Sequence, residues 1–95
     1  MLENLEKTQR IIKVAANSRT HAVAGAIAGT IREHRCADVQ AIGAGAVNQA
    51  VKAIAIARNY LIGDGLDIVC GPELSEIDAD GQRLTAIRFR LETRI

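Results

Sequence analysis

The stretch from Val39 to Arg58, VQAIGAGAVNQAVKAIAIAR, restricts the fold more than any other part of this chain. Val39 to Ile42 is a short apolar run with enough branched residues for a strand. Gly43-Ala44-Gly45 follows, presenting little beyond backbone. A helix comes next, with Val47, Ala50, Val51, Ile54, Ala57 and Leu61 at the i, i+3, i+4, i+7 spacing of an apolar face. Ala46, Ala53, Ile56 and Tyr60 form a second apolar face. The polar strip is narrow: Asn48, Lys52 and Asn59, with Gln49 and Arg58 beside it. Such a helix must be covered on more than one side. A chain of 95 residues can cover one side with its own sheet. The other side points to a second copy of the chain, so this second helix is expected to be both core element and dimer seam.

The rest of the chain arranges itself around that unit. Met1 to about Gln9 reads as a polar leader, and residues 10–95 as a single domain. Gln9 to Ala16 alternates as a first strand, with Ile12 and Val14 on one face. Asn17 and Ser18 are good N-cap residues for a first helix, about Arg19 to Arg35. Its stripe is Val23, Ile27 and Ile31. Gly25 and Gly29 cost roughly 1 kcal/mol each against alanine in a helix, which implies close approach to another backbone. Cys36 to Asp38 reads as a turn. Gly63-Asp64-Gly65 ends the second helix, with both glycines suited to the left-handed conformation. Leu66 to Gly71 reads as a third strand, which Pro72 places at an edge or near its end. Asp80-Gly81 is a hairpin signal, and Leu84 to Glu92 a last strand. Between Pro72 and Arg83 lies an acidic arm with Glu73, Glu76, Asp78 and Asp80. The order is βαβαββ, an α/β two-layer sandwich (α+β) with a four-stranded mixed sheet and two helices on one face.

Composition limits the chemistry. Aromatic residues are 2% of the chain, so a site of stacked rings for single-stranded nucleic acid is nearly excluded. The net charge of +1 gives no global pull on a polyanion, so any such binding needs a local patch. No apolar run is long enough to span a membrane, and the N-terminus lacks the apolar segment of a secretory signal. Cys36 and Cys70 are too few for a disulfide framework, and a cytoplasmic protein with reduced thiols is expected.

Two loops could carry function. Gly43 to Gly45 joins a strand to a helix N-terminus, where unpaired N–H groups can hold an anion. A dinucleotide fingerprint would need glycine where Asn48 stands. The purely structural reading is that these glycines permit a tight turn and close packing. Asn17 to His21 is the second such junction, where Arg19 offers a forked donor suited to phosphate. In this topology the two junctions lie at the same end of the sheet. The bland reading of Asn17 or Ser18 as a cap and Arg19 as a solvated charge stays open beside it.

Other constellations carry less. His21 and His34 do not share a metal-binding face. Glu76, Asp78, Asp80 and Gly81 begin like a calcium loop, but Ile87 stands where the closing glutamate belongs. No nucleophile–base arrangement is readable, and the paired carboxylates of the arm lack an apolar setting. No metal, cofactor or catalysis is expected.

The segments NSRTHAVAGAIAG (Asn17 to Gly29) and VQAIGAGAVNQAVKAIAIAR resemble the stage V sporulation protein S family, and RLTAIRFRLE resembles its last strand. The likeness runs from about Arg10 to Glu92. More remotely the element order resembles the Alba fold, a family of small dimeric proteins that bind DNA and RNA. This resemblance implies a cytoplasmic, dimeric, Alba-like regulator of spore development that binds nucleic acid through three regions. By position these are Asn17, Ser18 and Arg19 in the first loop, Gly43 to Asn48 in the second, and the arm from Leu74 to Arg83. The chain departs from Alba by placing Ala44 and Ala46 around Gly45, where basic residues are usual, and by its acidic arm. Both departures weaken duplex binding through phosphates.

The expected contacts are therefore backbone N–H groups near Gly43, Gly45 and Ala46, phosphate contacts from Arg19 and Arg83, and hydrogen bonds from Asn17, Ser18, Asn48, Gln49 and Lys52. The expected partners are DNA or RNA and a second copy of the chain. The alternative is a protein-interaction module whose acidic arm docks a basic partner. A third reading is an enzyme or small-anion binder at the paired loops.

Overall fold

The computed structural model describes residues 11–94. The expected leader and the first residues of the first strand, Gln9 and Arg10, lie outside the described residues. The elements are β1 (Ile11–Val14), α1 (Thr20–His34), β2 (Cys36–Ala41), α2 (Ala44–Ile62), β3 (Asp67–Ala79) and β4 (Gln82–Arg94). The sheet runs β1-β2-β4-β3. β1 and β2 are parallel, and β4 pairs antiparallel with both β2 and β3, so the sheet is mixed as expected.

Alternation along the strands divides the sheet into two faces. Val14, Ala37, Val39, Ala41, Ile68, Phe89 and Leu91 are buried on the helix side. α1 adds Ala24, Ile27, Ala28 and Ile31 to that core. Lys13, Gln40, Arg88 and Arg90 belong to the opposite face. Asp38 lies there too, only 7% exposed, with Arg90 Nε 3.6 Å from its Oδ1.

α2 corrects the expected face. Its buried stripe is Ala46, Ala50, Ala53, Ala57 and Leu61, while Val51 is 51% and Ile62 67% exposed. Small side chains let the helix axis sit close to the sheet and to α1, and the larger residues are displaced toward the rim. Apolar surface therefore remains on α2 beyond what the described residues cover.

Three further differences have local causes. Cys36-Ala37-Asp38 is strand rather than turn, because Arg35 alone makes the reversal. It takes a left-handed conformation (φ 64°), donates its N–H to Ile31 O and folds its Nη1 onto Arg32 O at 2.6 Å. A Cβ placed on Gly25 or Gly29 would meet no neighbour within 4 Å among the described residues, so the expected close backbone approach does not occur there. Of the two glycines after α2, only Gly65 is left-handed (φ 71°); Gly63 stays right-handed.

β3 continues through Pro72 to Ala79, longer than expected. Pro72 is tolerated because β3 is an edge strand, which is one of the two readings its presence allowed; the other, a strand ending there, does not hold. Asp80 and Gly81 both have positive φ, as a two-residue hairpin turn requires. β2 ends at Ala41, opposite Ile87, which pairs with Leu74. The five pairs from Ser75–Ala86 to Ala79–Gln82 lie beyond that rung. They form an arm that projects about 17 Å at the usual strand rise.

Candidate nucleic-acid interface

The β1–α1 and β2–α2 loops come together at one end of the sheet, as the parallel β1–β2 pairing demands. Two contacts weld them. Gln49 Nε2 donates to Ser18 O at 2.8 Å. A Cβ on Gly45 would stand 3.0 Å from Ala16 Cβ, so the first loop rests directly on the first turn of α2. Gly43 takes φ 91° and ψ 159°, a conformation essentially confined to glycine. The three residues thus have separate duties: Gly43 turns the chain, Gly45 admits the neighbouring loop, and Gln49 fixes it.

Neither helix N-terminus is closed by a side chain among the described residues. α1 starts after Arg19, not Asn17 or Ser18, and Arg19 makes no side-chain cap hydrogen bond. The Ser18 hydroxyl is used one turn earlier, where Oγ accepts the Ala15 N–H at 2.9 Å. It therefore cannot serve as the expected cap. Gly43 precedes α2 and has no side chain to offer. No acidic residue occupies either first turn. Each start leaves N–H groups unpaired and carries the positive end of a helix dipole.

The expected site residues separate into three groups. Asn17, Arg19 and Asn48 are exposed near this end and Lys52 is exposed about two turns along α2, and Arg19 and Lys52 have no ion-pair partner among the described residues. Gln49 and Ser18 are partly buried and engaged with each other, so they shape the end rather than present themselves. Ala46 is buried as a whole residue, backbone included, while Gly43 and Gly45 are exposed. Arg83 stands apart on the arm. Its Nε lies 3.3 Å from Glu76 Oε2 and 3.8 Å from Asp78 Oδ1.

A second feature has no signal in the sequence. An open groove of about 680 Å³ runs between α2 and the β3–β4 edge, with Val51, Ile54, Val69 and Phe89 among its walls. Asp67 stands beside it, gripped by Arg58 (Nε–Oδ1 2.7 Å) and Arg94 (Nη2–Oδ2 2.9 Å). Hydrogen bonds first from Arg58 and then from Arg94 hold the Asp67 carboxyl far below the usual carboxylate range. Burial pushes the Cys70 thiol up, away from the reactive thiolate. Among the described residues no three His, Cys, Asp or Glu side chains converge as metal ligands, and no helix is long and apolar enough to cross a membrane.

The model of the stage V sporulation protein S (SpoVS) family matches residues 10–94, and the chain belongs to that family. Among solved structures it is similar to Alba from Thermoplasma volcanium, with a TM-score of 0.56 and 20% identity. That alignment covers 86% of this chain and 98% of the Thermoplasma volcanium chain. The likeness identifies the fold as Alba-like.

Proposed function

We propose that this member of the stage V sporulation protein S family is a small dimeric regulatory protein that binds nucleic acid and catalyses nothing. One observation carries the reading: two helix N-termini without side-chain caps are locked side by side, with exposed Arg19 beside them and exposed Lys52 about two turns along α2, neither ion-paired among the described residues. Backbone N–H groups of the exposed Gly43 to Gly45 turn donate to phosphate oxygens, as helix starts do. Arg19 and Lys52 neutralise neighbouring phosphates, and Asn17 and Asn48 add hydrogen bonds. Arg83 contributes less than the sequence implies, because carboxylates already surround it. The resemblance to Alba proteins supports DNA or RNA as the class of partner. The exposed Val51 and the adjoining groove support a second copy of the chain as the cover for α2.

The test is binding of labelled single- and double-stranded DNA and RNA across a salt series. Binding should weaken with salt, and Arg19→Ala and Lys52→Ala should each make the slope shallower by roughly one unit. Absence of binding at low salt sinks the reading. Val51→Asp should convert a sedimenting dimer to monomer. The competing reading, an interaction module, is favoured by Leu74, 78% exposed at the root of an acidic arm. It is upheld if a basic protein binds and nucleic acid does not.

A further inference from the structure

We propose that the acidic arm is a selectivity element that bars continuous duplex and leaves single-stranded nucleic acid as the preferred ligand of the loop end. The inference rests on the nucleic-acid reading above. β3 and β4 carry the arm out past Ala41, from the same end of the sheet as the two welded loops. Glu76, Asp78 and Asp80 lie on it and Glu73 at its root, against Arg83 as the one cation between Pro72 and Arg83. That cation is engaged by Glu76 and Asp78, which leaves the segment with a net charge of −3, four carboxylates against one guanidinium.

The two ligand forms meet this arm differently. A duplex carries about one charge per 1.7 Å of axis and is stiff over roughly 50 nm. A rod of that kind laid across the loops cannot bend away within the arm's length of about 17 Å. It has to pass the arm, and each phosphate that comes within about one Debye length of a carboxylate, ~8 Å at physiological salt, is repelled. A single strand touches the helix starts over a few nucleotides and turns away. The scarcity of aromatic residues does not oppose this, since the contacts invoked are backbone N–H groups and cations rather than base stacking.

The experiment compares one labelled oligonucleotide, alone and annealed to its complement, with the wild-type protein and with the Glu76→Gln/Asp78→Asn/Asp80→Asn variant. Asparagine at position 80 tolerates the positive φ of the turn, so the hairpin survives. Duplex affinity should rise about ten-fold at low salt and single-strand affinity by less than about three-fold. Adding Arg83→Gln to the neutral arm should reverse part of the duplex gain, because that guanidinium is then released to phosphate. Equal gains for both ligands, no gain for either, or wild-type preference for duplex overturns the selectivity of the arm while leaving the loop site standing. Failure of wild type and variant to bind either ligand overturns the loop site and the arm's role together.

Discussion

The loop end and the arm leave the same end of the sheet, yet they are built in opposite ways. The loop end is fixed by packing: Gly45 against Ala16, Gln49 on Ser18, and buried Ala46 and Ala50 beneath. The arm is fixed by a ladder and a two-residue turn. The first presents donors and unpaired positive charge. The second presents acceptors and a cation already engaged. A rigid attractive surface beside a repulsive ribbon is a means of choosing among ligands of one charge, which an attractive surface alone cannot do.

The comparison breaks most readily at Gly45. Gly45→Val places methyl groups where Ala16 already makes contact, so the first loop must shift. We expect a loss of about 1–3 kcal/mol in denaturant unfolding, together with loss of nucleic-acid binding. Unchanged stability would show that the loops are not welded. Gln49→Ala is next: losing one hydrogen bond should cost about 1 kcal/mol and weaken binding several-fold, read by the same two measurements. Replacing Ser75 to Ala86 by a two-residue Asn-Gly turn between Leu74 and Ile87 should leave unfolding within about 0.5 kcal/mol of wild type. A larger loss would make the arm part of the core rather than an appendage.

The smallest effect is at the far end of β3. The folded-state carboxyl of Asp67 is depressed by Arg58 and Arg94, so its stabilising contribution is complete above the ordinary aspartate pKa of about 3.9. It is lost as pH falls below that value toward the depressed folded-state value. Asp67 and its partners are well exposed, so solvent screening keeps the contribution small. Asp67→Asn should flatten this part of an acid unfolding curve and leave neutral-pH binding unchanged.

Much of this is legible in the sequence. The order of elements, the edge position of Pro72, the Asp80-Gly81 turn and the shared end of the two loops follow from local chemistry and the handedness of crossovers. Which face of α2 is buried is not legible. Its alanines and its β-branched residues are both apolar, and the choice is made by how closely neighbouring elements approach. Ser18 looks like a cap in the sequence because a hydroxyl can serve either of two turns, and only the geometry of Ala15 to Ser18 decides. The separation of Gln49 from Asn48 and Lys52 is likewise tertiary: three polar residues look alike on a helix until one of them finds a carbonyl on another loop.

The strand order has a consequence for synthesis. β4 is the last strand in chain order but occupies an inner place, between β2 and β3. Until Gln82 to Arg94 have left the ribosome, β2 has a partner on one side only and β3 has none within this sheet. The α2 alanine stripe meanwhile faces an unfinished surface. Emerging segments can form helix and pair β1 with β2, but the core closes in one late step. A chain stalled before β4 therefore exposes the open edge of β2 together with an unpaired β3, both adhesive surfaces that quality control would meet.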